Sequence, residues 1–161
     1  WYAYSDDGTN YTMILDHNTT AKVSSWDESR TQITTDTSTW NSNLNARLIK
    51  GEEVASITRN TDWTSTSDWF CLDTNQSDST NWCSKSQGTS KYAWLFDYTD
   101  GCIDHGGNIT DSSNYGYWVD TSRDTSNAWY VGRYGLLGYI NISRTYNGVR
   151  PVITISKNII S

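Results

Sequence analysis

The sequence predicts one α+β domain in which two short helices pack on antiparallel sheets joined by long irregular loops. Three observations carry this. Runs of alternating apolar and polar residues sit at both ends of the 161-residue chain, and a period of two is the mark of half-buried strands. Between those ends, residues 37–58 space their apolar side chains as a helix does. The remaining stretches are dominated by Ser, Thr, Asn, Asp and Gly, the residues of turns and loops. The length suits a single domain over residues 1–161 with a substantial core.

Residues 1–15 alternate around Asp7 and Gly8, which predicts a hairpin. The chain is already inside this pattern at Trp1, so a preceding segment carrying a targeting signal or an anchor is expected to be processed away or to lie outside this sequence. Residues 16–38 read as Thr/Ser-rich loop. Trp40, Leu44 and Leu48 fall at i, i+4 and i+8, one apolar face of a short helix, with Thr37, Ser38 or Thr39 as its N-cap. Glu52 and Glu53 open a second helix, where the macrodipole favours acids, and Val54 and Ile57 give it a small buried face. Residues 60–91 read as long loops around one or two short strands, residues 91–98 as a buried strand, and residues 99–116 as an irregular glycine-containing loop. Residues 115–122, 127–135, 137–143 and 148–157 then read as four strands of one antiparallel sheet. The only proline, Pro151, lies at the start of the last of them, where its missing N–H costs least.

Aromatics make up 14% of the chain, with nine Trp and eleven Tyr, while charged residues make up 19%. Disordered chains are poor in aromatics, so disorder is excluded. No apolar run approaches the roughly 20 residues of a membrane-spanning helix. The net charge is −6 and no Lys/Arg cluster occurs, which leaves no electrostatic basis for binding nucleic acid or an anionic membrane surface. What remains is the composition of an extracellular, β-rich binding protein. Three cysteines occur, Cys71, Cys83 and Cys102, an odd number that leaves one free unless it pairs with another chain; three reduced thiols are the plain alternative, and it is the rest of the composition that points to an oxidising compartment. A local Cys71–Cys83 disulfide and a pairing of either with Cys102 are both open. Glycosylation sequons begin at Asn10, Asn18, Asn75, Asn108 and Asn141, in a chain so rich in Asn and Thr that chance supplies several.

The motifs of catalysis are weak. His17 and His105 each follow an aspartate, Asp16 and Asp104, but no Gly-x-Ser-x-Gly elbow or activated cysteine completes a triad. Asp73, Asn75 and Ser77 begin like a calcium loop, which then fails at Asp78 and Ser84. Cys102 and His105 form a C-x-x-H pair with no second pair for zinc. No metal or cofactor is expected. The aromatic stretch of residues 115–146 is more informative. Tyr117, Trp118, Trp129, Tyr130, Tyr134, Tyr139 and Tyr146 interleave with Gly, Asn, Ser and Arg, a composition that gives large contact area and adaptable hydrogen bonds. Trp118 and Trp129 are expected in the core, whereas the run from Gly138 to Tyr146 fits neither a core nor a turn pattern.

These residues also carry a resemblance. The run Arg47-Leu48-Ile49-Lys50-Gly51-Glu52-Glu53-Val54 resembles the Arg-Leu-Pro-Thr-Glu-x-Glu-Trp helix signature of C-type-lectin-fold proteins of the formylglycine-generating-enzyme type. Gly148-Val149-Arg150-Pro151-Val152 resembles the strand that closes that fold. Tyr117-Trp118 and Ala128-Trp129-Tyr130-Val131 look like framework strands of bacterial surface and pilin-linked lectin-fold domains, among them the variable proteins of diversity-generating retroelements. The resemblance covers most of residues 40–157 and implies a C-type-lectin-like fold. In its enzyme branch a C-terminal cysteine pair binds copper, and this chain has no cysteine after Cys102. Calcium-dependent lectins of the fold use Glu-Pro-Asn or Gln-Pro-Asp with Trp-Asn-Asp, and none of these occurs.

The variable-protein branch implies a rigid platform whose final strands and loops tolerate almost any exposed side chain. Gly132, Tyr134, Leu136, Gly138, Tyr139, Asn141, Ile142, Ser143, Arg144 and Thr145 occupy that place, and Asp120, Arg123 and Asp124 form an adjoining loop. The expectation is therefore a non-enzymatic, extracellular ligand-binding or adhesin domain displayed on a bacterial surface or pilus. Its partner would be a protein or glycan on another cell or host surface. The alternatives are a structural pilin or surface-assembly subunit packing against other pilus subunits, and a calcium-independent carbohydrate-binding module.

Overall fold

A computed structural model describes residues 1–59, 63, 69–72, 91–96, 116–133 and 135–159. Within them lie two helices and two sheets, a mixed α+β architecture. The predicted hairpin forms: β1 (Tyr2–Asp6) pairs antiparallel with β2 (Asn10–Ile14). Its turn works because Gly8 takes φ +91° with open space around it, and because Asp7 Oδ1 accepts from the N–H groups of Thr9 and Asn10.

The stretch 16–38, expected as loop, contains an eleven-residue helix, α1 (Trp26–Asp36). It buries only Ser29 and Ile33, so its apolar stripe is too thin to register as a period. The signal lay instead in its start. Ser25 caps the helix, accepting from Glu28 N at 3.1 Å, and Glu28 reaches back to the N–H of Ser24. The helix expected from Trp40 onward is absent. Asn41 takes the N–H of Asn43 into its side chain, residues Ser42–Leu44 make one 3-10 turn, and Asn45 adopts φ 49°. Asn competes with the helical backbone for its own N–H groups, which overrides the apolar spacing. Leu48 belongs to a two-residue strand, β3 (Arg47–Leu48).

The second helix, α2 (Gly51–Thr58), stands where it was expected, with Glu52 and Glu53 in its first turn and Val54 fully buried. Glu53 locks this end of the molecule. Its carboxylate accepts from Arg47 Nη1 and Nη2, both at 2.7 Å, from the Lys50 N–H at 2.8 Å, and from the Tyr4 hydroxyl at 2.9 Å. Burial raises the Glu53 carboxyl, but these hydrogen bonds, Arg47 foremost, outweigh it and hold the group below its ordinary value of 4.5. A carboxyl depressed in the folded state contributes stability above its unfolded value and loses it as the pH falls through the folded value. The lock therefore holds above pH 4.5 and weakens progressively below it. Glu53→Gln is expected to cost about 1–3 kcal/mol near neutrality. It should also flatten the acid side of the stability profile, read by urea melts at falling pH. Equal acid sensitivity in parent and variant would remove Glu53 as the responsive group.

The C-terminal strands are β4 (Trp69–Cys71), β5 (Gly116–Ser122), β6 (Asn127–Gly132), β7 (Leu136–Asn141), β8 (Asn147–Gly148) and β9 (Pro151–Ser156). They do not form one sheet, as the alternation suggested. The second sheet runs β4-β7-β6-β5-β8, with β8 parallel to β5, whereas β9 crosses to the first sheet, β1-β2-β9-β3. The crossing is made at Val149, which exchanges backbone hydrogen bonds with Thr19 and Thr20, and at Arg150, which is fully buried. Gly148 is required here, because a Cβ would stand 2.4 Å from the Thr20 carbonyl oxygen. Residues 91–96, expected as strand, instead carry a 3-10 turn, Ala93–Leu95. A short apolar run does not distinguish a strand from a buried turn, and Leu95 and Phe96 are buried either way.

Among the described residues two apolar clusters fill the interior. The larger holds Ile14, Ile49, Val54, Leu72, Tyr117, Val119, Trp129, Val131, Leu137 and Val152. The smaller, beneath α1, holds Val23, Ile33, Leu48, Trp118, Ala128 and Val149. Trp118 and Trp129 are core residues, as expected, and they point to opposite faces of the second sheet. Among the described residues no helix is long and apolar enough to cross a membrane.

Candidate functional site

The β6–β7 pairing brings Asn127 opposite Asn141 and Trp129 opposite Tyr139. The β5–β6 turn therefore lies beside the end of β7. Two further backbone bonds fix that end: Ile142 N donates to the Ser126 carbonyl at 2.9 Å, and Trp26 N donates to the Ile142 carbonyl at 2.8 Å. One end of the second sheet, where β6 begins and β7 stops, is thus assembled from three separate segments. On it Asn141, Ser143, Arg144, Thr145 and Tyr146 line an open depression of about 390 Å³.

Local chemistry holds this loop. The Asn141 side-chain oxygen accepts from Ser143 N at 2.9 Å and from Ser143 Oγ at 2.6 Å, and Arg144 N donates to the Asn141 carbonyl. The Arg144 guanidinium stands 5.9 Å from the centre of the Tyr146 ring. On the adjoining turn, the Arg123 guanidinium lies over Tyr139 at 4.3 Å and over Trp129 at 5.7 Å. Asp124 is turned into its own loop. The Asn127 amide, then the N–H groups of Ser126 and Asn127, hold its carboxyl below the ordinary 3.8.

The expected site residues separate by burial. Asn141, Ser143, Arg144 and Thr145 are exposed and share the depression. Asp124 is exposed on the neighbouring turn, and Arg123 is half-buried there. Asp120 is not a loop residue. It lies in β5, and its carboxylate pairs with Arg30 Nε on α1 at 3.0 Å. Gly132, Leu136 and Gly138 are buried and offer no surface to a ligand. Gly132 and Leu136 face each other in register, and a Cβ on Gly132 would come within 3.0 Å of the Leu136 side chain. Gly138 lies on a strand paired on both sides, with Trp69 and Tyr130 as its partners in register. Tyr139 is half-buried against Trp129, ring centres 5.3 Å apart and edge-on. It is a support for the face as much as an anchor on it. Ile142 is half-buried with Ile140 against the smaller core cluster, so core packing does account for the apolar half of the alternation from Gly138 onward. Tyr134 lies outside the described residues.

Tyr146 is the site residue that the sequence reading left out of the ligand set. It ends the same polar-aromatic run, and its place in the depression follows from the tight turn at Asn141. Of the other motifs, His17 Nδ1 lies 2.6 Å from Asp16 Oδ1. His105, the calcium-like run from Asp73, and Cys83 and Cys102 lie outside the described residues. Cys71 is buried at the end of β4. Among the described residues no group of three His, Cys, Asp or Glu side chains is placed to hold a metal. The Asn18 sequon is buried, with its amide donating to the Gly116 carbonyl, whereas Asn141 is exposed.

No family model matches the chain, and a search of curated proteins finds no match to it.

Proposed function

We propose that this chain is a non-enzymatic, extracellular recognition domain that binds its ligand on the edge formed by the β5–β6 turn, the end of β7 and residues 141–146. The observation that carries this is the open depression of about 390 Å³ lined by exposed polar side chains on a backbone tied to two other segments. Side chains can change on such a backbone while the fold stays the same, because Ser143, Arg144 and Thr145 are exposed, whereas the Asn141 side chain holds the turn. The volume is that of a small-ligand or subsite pocket.

In this reading the domain has a C-type-lectin-like fold, needs no cofactor, and is the displayed head of a bacterial surface or pilus-associated adhesin. Its exposed edge is diversified by a retroelement. Support for the fold comes from the antiparallel pairing of β2 with β9 and from the Arg47–Glu53 entry to α2. Support for the recognition role comes from the Trp/Tyr-rich, uncharged-polar composition and from the solvent-facing loop.

Sequencing the locus across a population of the source cells tests the reading. Substitutions are expected at positions 143, 144 and 145. The buried positions 132, 136 and 138 should be spared, together with Trp118, Trp129 and residues 148–152. An invariant loop would remove diversification and leave a single dedicated partner. Variation at the buried glycines as frequent as at Arg144 would remove the assignment of the face.

A further inference from the structure

We propose that the depression at residues 141–146 takes a carboxylate-bearing sugar, a uronic or sialic acid residue, with Arg144 as the group that receives the carboxylate. This rests on the reading of that edge as the ligand-binding face and names the ligand's chemistry. The argument starts from charge. The chain has 18 Asp and Glu against 12 Lys and Arg, and some of its basic side chains are ion-paired. Arg30 pairs with Asp120, Arg47 with Glu53 and Lys157 with Asp6. Arg144 is exposed and makes no ion pair among the described residues. Its neighbour is the Tyr146 ring, at 5.9 Å. A ring face steadies a guanidinium but leaves its five N–H groups unused. That planar fork matches a carboxylate with two parallel hydrogen bonds.

The rest of the lining suits a sugar. Among the described residues no carboxylate lines the depression. Asn141 commits its side-chain oxygen to Ser143, which leaves its NH₂ as a donor. Because the Ser143 hydroxyl donates to Asn141, its lone pairs face outward as acceptors. With the Thr145 hydroxyl, these groups form a short mixed array of donors and acceptors of the kind that pairs with ring hydroxyls. Tyr146 adds an apolar ring face. The nearby acid, Asp124, spends its oxygens on Ser126 and Asn127.

The test is a titration of the 161-residue protein, followed by ¹H–¹⁵N NMR, with glucuronate, N-acetylneuraminate, glucose and a glutamate-rich peptide as separate probes. The acid sugars are expected to shift the resonances of residues 141–146, and glucose to bind at least about tenfold more weakly than glucuronate. Arg144→Gln should weaken glucuronate binding by about tenfold or more while leaving the melting temperature unchanged, and Arg144→Lys should recover part of the loss. Equal binding of glucose and glucuronate would overturn the carboxylate assignment and leave the face standing. A response to the peptide alone would overturn the sugar and leave the face standing. If no probe shifts residues 141–146 at millimolar concentration, the proposal falls. The reading of the face is decided separately, by the population sequences.

Discussion

Trp129→Ala is expected to lower the stability of the domain by about 3–5 kcal/mol, the usual cost of removing a large buried aromatic. Trp129 is 2% exposed and is the hub of the larger core. Its ring meets Trp63 edge-on at 4.9 Å, Tyr139 edge-on at 5.3 Å and Phe70 at 6.3 Å. Arg123 closes the group from the outer side, 5.7 Å from the ring centre. Alanine would leave a cavity bounded by rings from different segments, which a rigid sheet does not refill. A loss of this size is a large part of the stability of a single domain. Trp129→Phe keeps a ring and should lose clearly less. Urea melts of the three proteins decide the matter. A Trp129→Ala variant as stable as the parent would mean that this ring does not carry the larger core. The same substitution should loosen Tyr139 and Arg123, because both rest on this ring. Binding at the edge would then weaken even with every exposed contact intact.

The second large effect is expected at Arg150. This side chain is fully buried, which is rare for arginine. Its Nη1 donates to the Leu95 carbonyl at 2.7 Å, its Nη2 donates to the Asp16 carbonyl, and its guanidinium lies 5.1 Å from the centre of the Tyr117 ring. Tyr117 donates its own hydroxyl to the same Leu95 carbonyl, and burial pushes that hydroxyl up to about 12. One guanidinium thus ties the crossing into β9 to β5, to the 3-10 turn and to the connection after β2. Arg150→Ala removes the hydrogen bonds and the volume together, and should cost about 3–5 kcal/mol. Arg150→Met restores volume but leaves the Asp16 carbonyl without this donor, and should fall between parent and alanine. Melts that place Arg150→Met level with the parent would show that the hydrogen bonds contribute nothing beyond packing.

Particular elements show what could be read in advance. The first hairpin was legible because its turn demands a residue at positive φ, and Gly8 follows Asp7 there. Helix α2 was legible because two acids sit at its start and Val54 falls on its inner face. Helix α1 was not, because only Ser29 and Ile33 turn inward and the eye follows apolar spacing. Its Ser25-x-x-Glu28 cap was present in the sequence as an unused signal. The false helix after Thr39 had the opposite fault. Its spacing was right, but Asn41 and Asn45 spent the backbone on turns.

The candidate site divides in the same way. Composition and the odd run ending at Tyr146 marked the C-terminal edge for recognition. They did not separate Gly132, Leu136 and Gly138, which face the interior, from Asn141, Ser143, Arg144 and Thr145, which face water.

The sequence by itself determined the local elements with strong turn or cap chemistry and the mixed α+β class. These depend on interactions between neighbours a few residues apart. Only the tertiary structure decided that β9 leaves the second sheet for the first, and that residues 126, 141 and 142 meet. It alone placed one arginine in the core and left another at the surface. Those outcomes depend on contacts such as Arg150 with Asp16, 134 residues apart, and burial is a property of the assembled chain that no local pattern encodes.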